Sequence, residues 1–385
     1  MMAGFLLARA GVDVLVLEKH EDFFRDFRGD TIHPSTLELF GELGLLDDFL
    51  KLPHVQAREI EGWVGEEKVI IADFSRLPTR CKFIAFMPQW DFLNFLAERA
   101  KRLPTFRLML GADANDLIIE DGVVKGVSAR TKDGALQVRA KLTIGADGRR
   151  STIREKAGFT PLSLGAPMDV LWFRVSRRQD DPDNPAGRFE PGRFLVAINR
   201  GDYWQCGYVI RKGSFDAIKQ KGMSDFRADL ARLAPFLADR VGELQDWQQV
   251  RLLTVAVDRL PRWSRPGLLC IGDAAHAMSP IGGVGVNLAV QDAVAAANML
   301  ASSLRRGAVP EELLLAVQRR REFSVRVTQA VQLFIQNRAI SNVLAGVPLK
   351  ALPAPFVLLR KFPFLRRLTA RFIGLGVRQE HIAVK

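Results

Sequence analysis

The chain has 385 residues, 48% of them hydrophobic and 25% charged, and its 55 lysines and arginines against 43 aspartates and glutamates give a formal charge of +12. This length allows a large core and about two domains, and the composition excludes a disordered or fibrous chain. The basic residues are dispersed except in the C-terminal quarter, which favours a solvated arginine-rich surface, and the absence of a recognised nucleic-acid-binding motif argues against a nucleic-acid partner.

The chain opens with a predicted helix that leads directly into a strand. Residues 1–10 are apolar and stop at Gly11, a typical residue at the end of a helix, and residues 14–17 (VLVL) predict a buried strand that ends in Glu18. A carboxylate at that position accepts hydrogen bonds from ribose hydroxyls in nucleotide-binding βαβ units, although many α/β proteins also end a strand with glutamate.

The strand and glycine turn that begin such a unit do not precede this helix. By spacing, the last glycine of the turn would stand immediately before Met1. We hypothesise that Met1 is a misassigned start or a fragment boundary, and the alternative is a shortened protein that is inactive or is completed by another chain. Loss of the strand would expose two neighbouring strand edges and weaken retention of a dinucleotide.

Elements further along the chain follow from periodicity and turn residues. We predict, in order, a helix over 34–50 with Ser35 and Glu38 as a capping box, short strands over 57–87, a helix over 90–102, hairpins turning at 121–122 and 133–134, a strand over 141–147, strands over 170–176, 193–199 and 203–210, a loop over 179–192, a helix near 223–239, and a mostly helical region over 310–385.

The stretch IGADGRRSTIREKAG, residues 144–158, has nucleotide-binding character. A buried strand leads into Asp147 and Gly148, and Ser151 is placed to cap the helix that follows. Three basic residues could face a phosphate: Arg149, Arg150 and Arg154. A plain βα turn with solvated arginines explains the same pattern.

The most specific stretch is LLCIGDAAHAMSPIGGVGVNLAVQDAVAAANML, residues 268–300. An apolar strand runs into Gly272 and Asp273, and a glycine-rich turn then opens a long helix. Unpaired N–H groups and the helix dipole stabilise negative charge at such an end, and the aspartate is placed to accept hydrogen bonds from a polyol. His276 is expected to be a structural turn residue and not a catalytic base.

Taken together these motifs resemble the single-component FAD-dependent aromatic hydroxylases, the class A flavoprotein monooxygenases typified by para-hydroxybenzoate hydroxylase. The resemblance rests on Glu18, on Gly145-Ala146-Asp147-Gly148 and on the segment 272–287, and it covers nearly the whole chain. It implies an α/β fold in which a Rossmann-like FAD-binding domain is interleaved with a β-rich substrate domain and followed by a C-terminal helical segment. The implied boundaries are 1–54, 89–164 and 262–309 for the FAD-binding domain, 55–88 and 165–261 for the β-rich domain, and 310–385 for the helical region.

The resemblance also implies roles for single residues. Glu18 would bind the adenosine ribose, Arg28 would lie near the pyrophosphate or the flavin, and Gln89 would contact the ribityl region. Asp147 and Gly148 match a motif associated with FAD and with transient NAD(P)H binding. The remaining cofactor residues implied are Gly272 and Asp273 at the ribitol hydroxyls, Pro280 beside the reactive flavin edge, and Gly282, Gly283, Gly285, Val286 and Asn287, whose loop would place N–H groups at the flavin pyrimidine.

In this family NAD(P)H reduces FAD, O₂ adds at C4a, and the hydroperoxide hydroxylates an electron-rich ring. The resemblance therefore implies an NAD(P)H-consuming monooxygenase acting on an aromatic, phenolic, polyketide or quinone-like small molecule. No metal constellation is present, no general base for a phenol can be named, and three dispersed cysteines favour a reducing, cytoplasmic compartment. Two alternatives stay open: an epoxidase or reductase on the same fold, and a truncated, flavin-free protein without catalysis.

Two further features leave alternatives open. On the strand 203–210, alternation separates Tyr203, Gln205 and Gly207 from Trp204, Cys206 and Tyr208, and either set could line the substrate pocket. The tail, residues 347–381, interleaves Lys and Arg with Phe and Leu. It could dock on the core or on a homodimer partner, make peripheral membrane contact that brings a lipophilic quinone-like substrate, or serve another role. We find no signal peptide and no apolar run long enough to span a bilayer.

Overall fold

The computed structural model describes residues 1–24, 31–65, 67–182, 186–346 and 354–384. Its helices are α1 (Met2–Arg9), α2 (Pro34–Glu42), α3 (Leu46–Phe49), α4 (Gln89–Ala100), α5 (Thr152–Lys156), α6 (Phe215–Lys221), α7 (Met223–Leu233), α8 (Gly285–Arg306), α9 (Glu311–Ile335), α10 (Ser341–Leu344), α11 (Ala354–Lys361) and α12 (Phe364–Leu375). A π-helical turn, Gln336–Ile340, joins α9 to α10.

The strands are short in the first third of the chain and longer in the middle. They are β1 (Val14–Leu17), β2 (Thr31–Ile32), β3 (Val55–Ala57), β4 (Glu59–Val64), β5 (Glu67–Asp73), β6 (Ile84–Phe86), β7 (Phe106–Met109), β8 (Asp113–Glu120), β9 (Val123–Thr131), β10 (Gly134–Arg139), β11 (Thr143–Gly145), β12 (Leu162–Ser163), β13 (Met168–Ser176), β14 (Ala186–Glu190), β15 (Arg193–Asn199), β16 (Tyr203–Arg211), β17 (Arg251–Leu253), β18 (Asp258–Arg259), β19 (Ser264–Arg265), β20 (Leu268–Cys270) and β21 (His276–Ala277).

Two small parallel pairings carry the strands that lead into the candidate motifs. β1 pairs with β7, and β11 pairs with β20, which also holds the antiparallel β19. Within the described ranges β1 and β11 each pair on one side only. Because parallel strands need apolar cover, helices α1, α4 and α8 pack here, and their side chains form one large core cluster.

The β-rich part is a seven-stranded sheet in the order β17-β13-β16-β15-β14-β4-β5. All its pairs are antiparallel except β14 with β4. Three smaller sheets complete the fold: the meander β10-β9-β8, the ribbon β12-β18-β21, and β2-β6-β3. The last of these joins the segment 55–88 to residues 31–32, and the division into domains at the implied boundaries stays a prediction.

The two faces of the seven-stranded sheet are covered differently. Trp204, Cys206 and Tyr208 point into a core cluster built with helix α7. Strand alternation therefore places Gln205 and Gly207 on the opposite face, where the neighbouring apolar side chains of β13 and β15 pack near the turn before α8. The structure thus decides which of the two sets on β16 faces the candidate site.

The helix predicted over 34–50 begins at Pro34 as predicted, but it is two helices and the predicted N-cap, Ser35, is wrong. His33 is the N-cap of α2, because Pro34 occupies the first helical position, where its fixed φ is favourable. The capping box of Ser35 and Glu38 does not form, since Glu38 pairs with Arg80 instead. α2 ends at Glu42, and α3 begins only at Leu46.

The loop predicted over 179–192 contains strand β14, and the helix α6 was not anticipated. β14 pairs in register with β15 across a tight turn, and the rings of Phe189 and Phe194 stack with centroids 4.2 Å apart. Cross-strand aromatic pairing of this kind stabilises the strand. It could not be predicted because the neighbouring Pro, Gly and Asp residues are typical of a loop.

The sequence also predicts no apolar run long enough to span a bilayer, but one is present by length and composition. The run Ile281–Arg306, which includes α8, has the required hydropathy, and 67% of its apolar window is buried inside the molecule. A helix surrounded by protein in this way is what the core of a globular fold contains.

The C-terminal elements fasten the two parts of the fold together. α9 packs along α8, and α12 packs against β5 and α2. Residues 376–384 then cross α8, where the Asn298 side chain donates to the His381 carbonyl (2.8 Å) and accepts from the Ala383 amide (2.9 Å). The chain end is therefore part of the packed structure and not a loose tail.

Candidate functional site

The strand–acid–turn motif lies where the sequence places it. β20 is fully buried, and the 3₁₀ turn Gly272–Ala274 follows it directly. The side chain of Asp273 is about one third exposed, and one of its carboxylate oxygens accepts a hydrogen bond from Arg149 Nε at 3.2 Å. A partly exposed carboxylate at the carboxyl end of a parallel strand is positioned to bind a polar ligand.

The second motif forms the neighbouring turn. Asp147 caps α5: one carboxylate oxygen accepts from the Ser151 hydroxyl and the other from the Ile153 amide (3.0 Å). The Ser151 hydroxyl in turn accepts from the Arg154 amide (2.9 Å), which confirms Ser151 as the N-cap. Both carboxylate oxygens of Asp147 thus shape the turn, and Gly148 follows with φ +86°.

Arginines lock these two turns together. Because β11 and β20 are parallel neighbours, their carboxyl ends lie at the same edge of the sheet. Arg149 reaches Asp273, and the buried Arg154 donates to the Ala274 carbonyl (3.3 Å) and to the Arg149 carbonyl (2.5 Å). Of the three arginines considered for a phosphate, only Arg150 is exposed. Arg149 and Arg154 instead form hydrogen bonds that hold the two turns together.

The glycine-rich turn and the first turn of α8 form the third part of the site. Val284 is the N-cap and its side chain makes no capping hydrogen bond, so with respect to the described residues the first amides of the helix are open to a ligand. Gly283 has φ +62°, and a Cβ there would lie 2.5 Å from Thr31 Oγ1. The turn therefore needs glycine both for its backbone conformation and for the close approach of β2.

Asn287 fastens this turn to the segment before α2. Its Oδ1 accepts from the His33 amide (3.0 Å) and the Thr36 hydroxyl (2.7 Å), and its Nδ2 donates to the Thr31 carbonyl (3.2 Å). The side chain is buried and fully used by these bonds. Asn287 is therefore placed to position the loop, in which Gly282 is exposed and Gly285 and Val286 are half-buried.

A row of buried glutamines on α9 holds the other side of the loop, and sequence reasoning missed it. Gln332 donates to the carbonyls of Ser279 (3.0 Å) and Ile281 (2.8 Å), and Gln329 donates to the Ala277 carbonyl (3.1 Å). The signal was present: polar residues recur on α9 at helical spacing, at 318, 321, 324, 328, 329 and 332, where a core-facing stripe would be apolar.

The buried carboxylate of Asp292 was also missed. One oxygen accepts from the Gly272 amide (3.0 Å) and from His276 Nε2 (2.6 Å), and the other accepts from Arg321 Nε (2.9 Å). Burial alone would raise the pKa of Asp292, but the charges and hydrogen bonds of His276 and Arg321 outweigh it and hold that pKa below its usual range. His276 thus orients the turn, in line with the structural role expected for it.

The network continues into the C-terminal segment. Arg321 Nη1 contacts Glu380 Oε1 (3.5 Å) and the Arg378 carbonyl (3.3 Å), and Glu380 also pairs with Arg320 (2.8 Å). Asp292, Arg321 and Glu380 are all at most 2% exposed. The buried carboxylates of Asp292 and Glu380 both contact the buried guanidinium of Arg321, and Glu380 also pairs with the exposed Arg320, so each buried ion has an opposite charge beside it, as burial without a large penalty requires.

The remaining candidates lie at other strand and helix ends. Glu18 follows β1, half buried, and one carboxylate oxygen accepts from the His20 amide (3.1 Å). Gln89 is the first residue of α4 and is half buried. Arg28 lies outside the described residues. The buried thiol of Cys270 at the end of β20 has its pKa raised to about 12 by burial, so it stays protonated.

Known proteins share this arrangement. Residues 1–331 match the model of a family described as an FAD binding domain. The chain is 32% identical over 378 residues to 6-methylpretetramide 4-monooxygenase of Streptomyces rimosus. The aligned region covers 95% of this chain and 87% of that protein. The chain is an FAD-dependent monooxygenase of this family.

Solved structures show the same fold. The structure of PqsL, described as a probable FAD-dependent monooxygenase from Pseudomonas aeruginosa, superposes with a TM-score of 0.75 at 19% identity, covering 89% of this chain and 94% of that one. The OxyS anhydrotetracycline hydroxylase from Streptomyces rimosus superposes with a TM-score of 0.74 at 24% identity, covering 98% and 74%. The expected α/β fold, with FAD as cofactor and NAD(P)H as the family's typical co-substrate, is confirmed.

The residues present fit FAD on the geometry of this chain. The uncapped first turn of α8 offers amide donors of the kind that stabilise a negatively charged ring edge. Gly282, Gly283 and Gly285 bring no side chains to this turn, and Asp273, whose Oδ1 lies 4.0 Å from where a Cβ at Gly285 would be, would supply an acceptor for sugar-alcohol hydroxyls.

His33 links this loop to α12, and its ionisation predicts a pH effect. Burial lowers the pKa of His33 to about 4, although the hydrogen bond from Nδ1 to the Ile373 carbonyl (2.7 Å) opposes the shift. Between pH 6.5 and 4 the unfolded chain takes up a proton here and the folded chain does not. The contribution of His33 to the free energy of unfolding is therefore fully present above pH 6.5 and falls as the pH is lowered. The loss at pH 5 is about 2 kcal/mol.

We expect His33→Asn to flatten this dependence, because Asn Nδ2 can donate to the same carbonyl but does not titrate. Thermal unfolding at pH 7.5 and pH 5 should show a smaller loss for the variant than for the wild type. His54→Asn is the matched control, since His54 is partly exposed and bonds the Leu52 carbonyl in the same way (2.7 Å). Equal pH dependence in wild type and His33→Asn would contradict the assignment.

Proposed function

We propose that this enzyme uses FAD, NAD(P)H and O₂ to hydroxylate an electron-rich phenolic ring of a polycyclic, polyketide-like small molecule. One observation carries the proposal: the uncapped first turn of α8 and the Asp273 turn lie together at one edge of the parallel strands, with an apolar face of the seven-stranded sheet opposite. The 6-methylpretetramide 4-monooxygenase relative supports the polyketide class, because its name describes oxygenation of such a molecule.

When bound, FAD would supply the chemistry that the side chains lack, namely acceptance of a hydride from NAD(P)H and activation of O₂ for transfer of one oxygen atom to the ring. The chain contributes position and charge. Asp273 would hold ribityl hydroxyls, and the amides of Gly282, Gly285 and Val286 would stabilise negative charge at the pyrimidine edge. Pro280 and Gly283 would shape the reactive edge, and Asn287 and Gly272 would fix the loops.

Other residues would hold the adenosine half of the cofactor. We assign Glu18 to the ribose, Gln89 to the ribityl region, and Asp147 with Gly148 to the turn that meets FAD and, transiently, NAD(P)H. Arg28 keeps its proposed place near the pyrophosphate. The arrangement of Glu18 and Asp273 at the carboxyl ends of parallel strands supports this assignment, since nucleotides bind at that edge of such sheets.

The apolar face opposite would form the substrate wall. Val170 and Val209 lie in one cluster, against which Trp172 and Ile281 pack. A Cβ at Gly207 would lie 3.1 Å from the Trp172 ring, so the glycine lets the indole lie along the sheet. Trp172 Nε1 is buried without a hydrogen-bond partner among the described residues, and it would donate to an oxygen of the substrate.

We expect Trp172→Phe to raise the KM for the best substrate about tenfold, since one neutral hydrogen bond is lost while the wall is kept. Steady-state kinetics over a substrate series would measure the change. Trp247→Phe is the matched control, because Trp247 packs on the α7 face of the sheet with Phe226 (5.3 Å). If both variants kept the wild-type KM, Trp172 would not contact the substrate.

The function itself is tested with a panel of mono- and polycyclic phenols. NADH or NADPH oxidation and O₂ consumption should rise with a polycyclic phenol, and mass spectrometry should find a product heavier by one oxygen. Two outcomes would reject the hydroxylase proposal in favour of another flavin reaction. In one, NAD(P)H oxidation gives a reduced or epoxidised product, and in the other it gives no product except hydrogen peroxide.

A further inference from the structure

Helices α11 and α12 present an exposed surface that is both apolar and basic. Four large apolar side chains on it are about half exposed or more: Leu358 (47%), Phe362 (46%), Phe364 (57%) and Leu368 (58%). Leu358 of α11 and Phe362, which directly follows α11, are four residues apart, as are Phe364 and Leu368 of α12, and the rings of Phe362 and Phe364 lie 6.1 Å apart across the junction. The four side chains therefore form one continuous stripe, which we call the α11–α12 surface.

The charged residues of the two helices have a single sign, although Arg360 is paired with the exposed Glu67 of β5. Between residues 354 and 375 the chain has five basic residues and no acidic one. Lys361, Arg367 and Arg371 are exposed, and Arg367 and Arg371 lie beside Phe364 and Leu368 on the same helical face. An exposed apolar stripe bordered by cations is the pattern of a helix that lies in the interface of an anionic bilayer.

The opposite faces of both helices are packed on the enzyme. Ala370 is fully buried, and a Cβ at Gly374 would lie 3.0 Å from Leu77. On α11, Phe356 lies 6.0 Å from the ring of Phe189 in the seven-stranded sheet. The surface is therefore held rigidly, and through His33 and Asn287 it is connected to the loop before α8.

We propose that the α11–α12 surface binds the surface of a membrane that contains anionic phospholipids. Charge complementarity favours this occupant. A symmetric contact with a second copy would bring the same five cations of each chain together, and a nucleic acid would offer no apolar phase for the exposed phenylalanine and leucine side chains. The proposal does not depend on the identity of the hydroxylated substrate.

Vesicle flotation of the full chain tests this surface. The protein should float with vesicles of phosphatidylcholine and phosphatidylglycerol, should bind pure phosphatidylcholine vesicles much less, and should be released as salt is raised. Arg367→Gln with Arg371→Gln should weaken binding about 30-fold, since each basic residue near the surface contributes about fivefold. Phe364→Ser with Leu368→Ser should weaken it comparably or more.

Matched controls separate this surface from general basicity. Phe334→Ser with Arg338→Gln changes an exposed apolar and an exposed basic residue near the end of α9 and should leave binding unchanged. In Phe364→Trp, the indole fluorescence should be quenched by brominated anionic lipids. The proposal would be overturned if the protein did not float with anionic vesicles, or if the control pair lost as much vesicle binding as the α11–α12 variants. It would also be overturned by a dimer in ultracentrifugation that only the α11–α12 variants dissociate.

Discussion

Replacing Asp292 by asparagine is expected to destabilise the enzyme by about 3–5 kcal/mol, the largest effect of a single substitution that we predict. The substitution leaves the guanidinium of Arg321, 1% exposed, without its nearest anion. It also weakens the bonds to the Gly272 amide and His276, so the turn that carries Asp273 loses its support. Thermal or denaturant unfolding measures the loss, which should be accompanied by weaker FAD binding.

A double-mutant cycle separates the ion pair from simple loss of packing. Asp292→Asn combined with Arg321→Gln should be less destabilised than the sum of the single variants, by about 1–3 kcal/mol, because no unpaired charge then remains buried. Asp133→Asn, at an exposed hairpin tip, is the matched control and should unfold like the wild type. Additive effects of the two buried substitutions would show that Asp292 and Arg321 are not coupled.

Asp273→Ala is expected to weaken FAD binding at least about 100-fold while the fold stays intact. Two hydrogen bonds from sugar-alcohol hydroxyls to a charged acceptor account for a loss of this size. Asp273 is about one third exposed, and among the described residues its side chain bonds Arg149 alone, so its removal leaves no fully buried charge unpaired there. Quenching of FAD fluorescence on titration gives the Kd, and the melting temperature without FAD reports on the fold.

Two companion variants define what the Asp273 result means. Asp133→Ala should keep the wild-type Kd, since this carboxylate lies at the tip of a distant hairpin. Arg149→Gln removes the ion pair but keeps the carboxylate, so it should bind FAD more tightly than Asp273→Ala does. A wild-type Kd for Asp273→Ala would remove the residue from the cofactor site and, with it, the main support for the proposed placement of the flavin.

Local patterns carried most of what could be predicted. The order of apolar strand, acid, glycine turn and helix over 268–306 is readable because each step depends on residues a few positions apart. The same holds for the turn that Asp147 and Ser151 build, for the hairpin at Asp121 and Gly122, and for the end of α1 at Gly11. Errors arose where two neighbouring residues could each define the end of a helix. Pro34 occupies the first helical position of α2, so His33 and not Ser35 is the N-cap.

Contacts between distant parts of the chain could not be predicted in this way. The His33 ring meets the Ile373 carbonyl 340 residues later, and Thr36 meets Asn287 251 residues later. Arg321 and Glu380 are 59 residues apart. A buried acid such as Asp292 looks in the sequence like any polar residue of a long helix, because the partners that make its burial favourable are supplied only by the fold.

The sequence by itself determined an α/β fold with nucleotide-binding turns, because glycine geometry, capping and strand alternation act over a few bonds, and the resemblance of those motifs to a known family added the flavin. Only the tertiary structure decided which face of β16 lies toward the glycine-rich turn before α8. It also decided that the polar atoms of Asp147 and Asn287 form hydrogen bonds that shape turns, and that Glu380 of the C-terminal segment completes the Asp292 network. Alternation defines two faces but not their neighbours, and the energy of a buried charge depends on groups that the chain brings together only on folding.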